Sequence, residues 1–281
     1  MSTRCKGAAN SGLVDLSEFA SQNLLIRTKQ GDISPLIFND VQNRLHQRLE
    51  GLLQRTGRVR ALVLKARQPG VSTYVQSRYY YKLLQRHGVQ AYILTHQRDA
   101  TEVLFEIAER FHDNNPDPKK PKTAVANAKE ICFAEIESGY RVGTAGSKAV
   151  GRGQTLQLFH GSEVAFWPNP GSHMAGLMQA VPDADETEII LESTANGPAG
   201  LFYDLCQAAH RGDGEFELIF IPWFEHDEYS AVPPRGWRPP PAILNYGKLH
   251  KLKRRQLYWA WRKNENLARA CSGIPDEICW L

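Results

Sequence analysis

Between Asn39, a good helix N-cap, and Gly57, apolar residues recur at helical spacing: Val41, Leu45, Leu49, Leu52 and Leu53. This pattern predicts a helix over that span. The run that follows, Val59-Arg60-Ala61-Leu62-Val63-Leu64, is almost continuously apolar and reads as a buried strand. STYVQSRYYYKLLQRHG predicts a helix opened by Ser72 and closed by Gly88, and QAYILTH a second short buried strand. Residues 99–111 read as a helix, NNPDPKKPK as a surface loop, and ICFAEIESGYRVGTA as a hairpin turning at Glu137-Ser138-Gly139. Buried-strand character returns at residues 155–159, at 188–194 and in FELIFIPWF.

Strands alternating with helices imply an α/β domain, a mostly parallel sheet with helices on both faces, over residues 35–230. Residues 1–34 are polar and weakly patterned, an arm or a short helical lead-in. From 231 to 246 the proline-rich AVPPRGWRPPPA reads as an extended linker. Tyr246 to Ala270 reads as one basic helix, opening a helical segment over 247–281, and the apolar end Trp280-Leu281 reads as a chain cut before its domain is complete. No repeat period appears, which argues against a solenoid or coiled coil.

A chain of 281 residues, 42% hydrophobic and 23% charged, can bury one large core or two small ones and is no disordered tail. Its net charge of +4 suits a polyanionic partner but falls well short of a dedicated nucleic-acid-binding domain. The five cysteines are scattered and form no CxxC pair, so neither a disulfide framework nor a zinc knuckle is indicated and a reducing cytosol is expected. No apolar run is long enough to cross a bilayer, and MSTRCKGAAN lacks the apolar core of a signal peptide.

Candidate chemistry centres on KARQPGVST, residues 65–73, placed between a predicted strand and a predicted helix. A phosphate loop needs that context, because backbone N–H groups at a helix N-terminus face the anion and the helix dipole favours its charge. In the usual GxxxxGK[ST] pattern a lysine precedes the hydroxyl residue. Here Gly70 and Ser72 fit, Val71 holds the lysine position, and Lys65 stands where the first glycine would be. The lysine's four-carbon stem can still carry its ammonium over a phosphate. Arg67 can add a bidentate contact, and Ser72, with Thr73 as substitute, a hydroxyl for Mg²⁺. The alternative is an ordinary strand-to-helix turn with a solvated Lys and Arg.

LQLFHGSEVAFWP supplies a buried strand followed by Glu163, placed as a carboxylate that orients and deprotonates an attacking water, or only as a helix N-terminal acid. The aspartate expected before it is replaced by Ser162, so a metal would lean on Ser72 and on Ser162 through water. LESTANG brings Ser193, Thr194 and Asn196 to the same sheet edge, where polar groups can sense a γ-phosphate, or form only a turn.

Together these segments resemble the ATPase domain of tailed-bacteriophage large terminase subunits, the motors that package DNA into procapsids. KARQPGVST looks like the family's deviant phosphate loop, HGSEVAFW like its acidic motif and ESTANG like its coupling motif. The resemblance runs over about residues 35–230 and implies a P-loop NTPase of the RecA-like class that binds ATP and Mg²⁺. It places the nucleotide on residues 65–73: Lys65, Ala66, Arg67, Gln68, Pro69, Gly70, Val71, Ser72 and Thr73. Gln42 resembles the upstream glutamine that reads adenine, although a bland helix glutamine fits as well. Arg152 resembles an arginine finger reaching a neighbouring subunit, or is a loop arginine facing DNA or solvent.

The family also implies a ring, a pentamer by expectation, on a portal protein, a small terminase subunit, duplex DNA gripped by its backbone, and work in the host cytoplasm. Its two-metal nuclease needs an aspartate cluster after the basic helix, so no DNA cleavage is expected, and Asp183 and Asp185 read as solvated. Lys253, Arg254, Arg255 and the KKPK loop are candidate phosphate contacts, or a solvated charged face. Two rival functions are a helicase-like ATPase, which would need a second motor domain, and a non-hydrolysing DNA- or portal-binding scaffold, favoured by Val71 and Ser162.

Overall fold

The computed structural model describes residues 14–127, 129–146 and 155–270. In chain order it begins with α1 (Leu16–Asn23), β1 (Leu25–Arg27), β2 (Ile33–Pro35), α2 (Asp40–Thr56), β3 (Val59–Lys65) and α3 (Val71–Gln85). There follow β4 (Gln90–Thr95), α4 (Arg98–Asn114), β5 (Val125–Asn127), β6 (Glu130–Phe133), β7 (Ser138–Thr144) and β8 (Leu158–Ser162). The last part holds α5 (Pro170–Ala180), β9 (Glu188–Ser193), α6 (Leu201–Arg211), β10 (Glu217–Ile221), α7 (Pro241–Leu249) and α8 (Arg254–Ala270).

Eight strands form one sheet in the order β10-β3-β9-β8-β4-β7-β6-β5, parallel from β10 to β7, with β6 and β5 antiparallel at one edge. This is the α/β architecture expected from alternating strands and helices. Alternation along β3 sends Val59, Ala61 and Val63 into a core built with α1 to α4, and Leu62 into a second core with α5 and α6. Helices therefore cover both faces, which is why the central strands are apolar almost throughout.

Because the central strands are parallel, β3, β8 and β9 end at the same sheet edge, and a site can assemble there from segments far apart in sequence. β9 lies between β3 and β8.

Five local expectations shift. The strand read at 155–159 is β8 at Leu158–Ser162, because His160 and Ser162, polar and hence loop-like by pattern, are buried between β4 and β9. The hairpin turns earlier, in a 3-10 turn at Ala134–Ile136, so Ser138 and Gly139 already belong to β7. Residues 14–35 pack on the core through Leu16, Ala20 and Leu24. The single basic helix over 246–270 is two helices. Lys251 turns the chain at φ 54, and Gly247 of α7 faces Leu257 of α8 so closely that a Cβ would sit 2.3 Å from Leu257 Cδ2. The proline-rich segment between β10 and α7 is pinned along α8, with Trp237 edge-on to Tyr258 at 5.0 Å.

Candidate active site

The loop leaving β3 makes its turn with two left-handed residues, Gln68 at φ 56 and Gly70 at φ 84. Gly70 is the N-cap of α3, and no side chain caps that end. The helix thus presents backbone N–H groups and the positive end of its dipole to whatever the loop encloses.

Contacts from three directions hold the loop. Asn39 and Gln42 form the capping box of α2 and reach across to it: Asn39 Nδ2 donates to Pro69 O at 3.2 Å and Gln42 Nε2 to Gly70 O at 2.9 Å. The Tyr229 hydroxyl donates to the Arg67 carbonyl. Ala66 packs with Trp223 and Ala260, joining the loop to α8 through an aromatic cluster in which Trp223 stacks on Trp259 at 5.1 Å.

At the end of β3 the Lys65 side chain is only 5% exposed. Its ammonium lies 2.9 Å from Glu163 Oε1 and 3.5 Å from Glu192 Oε2. Burial alone would depress its pKa, but the two carboxylates outweigh burial and hold it above the ordinary lysine value. Glu192 is wholly buried; its Oε1 accepts from the Ser72 hydroxyl and from His160 Nε2, the latter at 3.1 Å. Burial would raise this carboxyl, yet Lys65 first, then His160 and Ser72, bring it down to about 2.

Glu163 follows β8 at φ 53, a left-handed turn that brings its carboxylate to the ends of β3 and β9. Oε2 accepts from the Thr194 amide at 3.2 Å, the Thr194 hydroxyl at 3.3 Å and the Ser193 hydroxyl at 3.4 Å. The Ser193 hydroxyl also accepts from Ala165 N, and Asn196 Nδ2 donates to Ala165 O at 3.1 Å, tying the two segments together.

No protein-family model matches the sequence, and no curated protein matches it significantly. Solved structures do match. The HK97 bacteriophage large terminase superposes with a TM-score of 0.62 at 13% identity, covering 89% of this chain and 51% of that one. The large terminase of a thermophilic bacteriophage superposes with a TM-score of 0.52 at 10% identity, covering 76% of this chain and 50% of that one. The Thermus phage P74-26 large terminase ATPase domain, 19% identical, covers 67% of this chain and 82% of that one with a TM-score of 0.49. The fold is that of phage large terminases. The chain spans about half the length of the first two of these terminases.

On this terminase fold, Lys65, Ser72, Glu163, Ser193 and Thr194 come together in one hydrogen-bonded cluster, with Asn196 one carbonyl away. Gln42 sits at the loop too, but it is buried and its amide is engaged on both sides, Oε1 accepting from Asn39 N and Nε2 donating to Gly70 O. Arg67 and Gln68 are exposed, whereas Ala66, Pro69 and Val71 are buried. Ser162 is buried at the end of β8, opposite Glu192 in register. Arg152 lies outside the described residues. Asp183 is exposed and pairs with Arg58 at 2.8 Å.

Sequence reasoning misses Glu192, although it directly precedes the Ser193-Thr194 pair. A charged residue inside an apolar strand run is the available signal, since such a group stays buried only when paired.

The donor set fits a small hard cation. Glu192 Oε2 is buried with no hydrogen bond, and beside its sister oxygen lies the Ser72 hydroxyl. Among the described residues no three His, Cys, Asp or Glu side chains cluster as a metal site. A hard cation that takes one or two protein oxygens and fills the rest of its shell with water and phosphate needs no larger donor set than Ser72 and Glu192.

Proposed function

We propose that this chain is the ATP-hydrolysing part of a DNA-packaging motor of the phage large terminase type. The observation that carries the reading is the convergence, at the carboxyl edge of a parallel sheet, of Lys65, Ser72, Glu163 and Glu192 around an uncapped helix N-terminus.

In this reading the N–H groups of residues 70–73 cradle the phosphates, and Lys65 and Arg67 neutralise them. Ser72 and Glu192 would hold Mg²⁺, whose charge, when bound, offsets the charge developing on the transferred phosphoryl group. Glu163 positions and deprotonates the water. As the structure stands, the Lys65 ammonium lies on Oε1 of Glu163. Transfer of that ammonium to a phosphate frees Oε1 to take the proton, while Oε2 stays held by Thr194. Ser193, Thr194 and Asn196 thereby couple the loaded state to the rest of the edge, and Arg152 is proposed as a finger completing a neighbour's site. Gln42 fixes the loop, and with it the base end of the nucleotide.

Duplex DNA, a portal protein, a small terminase subunit and further copies of the chain in a ring are the partners this function requires. Residues 231–266 hold nine basic residues and one acidic, leaving 25 basic against 29 acidic elsewhere. That segment is therefore the proposed grip on the DNA backbone.

The test is Mg²⁺-dependent ATP hydrolysis by the purified chain across protein concentrations, beside Lys65→Ala and Glu163→Gln. Loss of turnover by at least about a hundredfold in both variants is expected. Nucleotide that neither binds nor is cleaved at any concentration would sink the reading; binding without cleavage points to an isolated domain that needs its ring partners.

A further inference from the structure

Below the loop runs a polar column for which the proposed hydrolysis has no use. Gln76 and His160 are both wholly buried. Gln76 Nε2 lies 2.8 Å from His160 Nδ1, and His160 Nε2 lies 3.1 Å from Glu192 Oε1. A carboxylate can only accept, so Nε2 carries the proton; in the neutral ring Nδ1 is then an acceptor, which the Gln76 amide N–H satisfies. Ser72 and Gln76 stand four residues apart on one face of α3, so a single helix face supplies both the hydroxyl on Glu192 and the amide behind the imidazole.

This arrangement is not the most stable way to fill the space. Gln76 Oε1 is buried without a hydrogen-bond partner, which is unfavourable. Apolar residues at both 76 and 160 would avoid the penalty. What the column delivers is a Glu192 carboxylate that cannot rotate.

We infer that Gln76 and His160 are positioning residues: a buried brace that fixes Glu192, and through it the Ser72 hydroxyl, in the orientation that receives Mg²⁺ with its nucleotide. The inference rests on the proposed nucleotide site. Imidazole–carboxylate pairs behind a ligand act in this way, and their loss typically lowers metal affinity or activity about 10–100-fold.

Two measurements test it. His160→Leu removes the donor, whereas His160→Gln restores an N–H at a similar reach. In ATP hydrolysis, His160→Leu is expected to raise the half-saturating Mg²⁺ concentration about tenfold or more with a smaller change in kcat, and His160→Gln to recover most of it. Equal Mg²⁺ requirements in all three proteins, with only the melting temperature lowered, would leave His160 a mere packing residue and overturn the inference. Independently, ¹⁵N-histidine NMR of the wild-type chain should show His160 with a bare Nδ1 and a protonated Nε2. A bare Nε2 overturns the brace, because Glu192 would then face an acceptor. If the wild type neither binds nor hydrolyses ATP, the proposed function falls while the NMR result still decides the brace.

Discussion

At Gly70 the backbone is held at φ 84, and a Cβ there would sit 2.8 Å from Gln42 Nε2, the atom that donates to the Gly70 carbonyl. Gly70→Ala therefore incurs left-handed strain of about 1–2 kcal/mol and also pushes away the side chain that holds the loop. Chemical denaturation should show a loss of that order, and nucleotide affinity should fall further than stability explains. An alanine variant with unchanged stability would mean the loop relaxes freely. The Lys65 cluster has the opposite character, because its charges are paired with one another. Removing one member leaves a buried charge unpaired.

At the scale of elements, periodicity and apolar runs are sufficient for α2, β3, α3, β4, α4, β9 and β10, and for the parallel sheet that holds them. Where pattern fails, a polar residue is buried for a reason that lies elsewhere in the chain. Pattern places β8 three residues early because His160, Gly161 and Ser162 look like a turn, yet His160 is satisfied by Gln76 on α3 and Glu192 on β9. Three short segments make most members of the site legible, but not Glu192, since only the sheet order reveals that β9 lies between the strands carrying Lys65 and Glu163. Gly161 marks the same crowding: a Cβ there would meet Leu191 Cδ2 at 2.7 Å and the Trp167 ring at 2.9 Å. Gly161→Ala is expected to destabilise by about 1–3 kcal/mol through overpacking. Thermal unfolding checks this, and a Leu191→Val background should relieve part of the loss.

Across the whole molecule, two wholly buried glutamates sit at the two ends of β9. Burial would raise both carboxyls, but Arg78 and Lys82 at Glu188 and Lys65 at Glu192 leave each at about 2, below the ordinary 4.5. A folded-state pKa below the unfolded one stabilises above the unfolded value, and that stabilisation is lost as pH falls. Each group thus contributes roughly 3 kcal/mol near neutrality that disappears between about pH 4.5 and 2. The melting temperature should drop below pH 4.5, and less steeply in a Glu188→Gln, Glu192→Gln double variant. An equal drop in that variant would remove the assignment.

The Glu192 end of that strand bears on what the proposed site admits. At its floor one ammonium faces two carboxylates within 3.5 Å, so this buried group of side chains balances negative before any phosphate arrives. A bare polyanion entering there meets repulsion at short range, and in a buried setting that repulsion is poorly screened. Only a guest that carries its own positive charge restores neutrality. ATP stripped of divalent ions, like inorganic phosphate, should therefore bind at least about tenfold more weakly than the magnesium complex. Isothermal titration with and without a chelator measures that difference directly. The floor of the loop would then act as an electrical turnstile, turning back the polyanion and passing the salt.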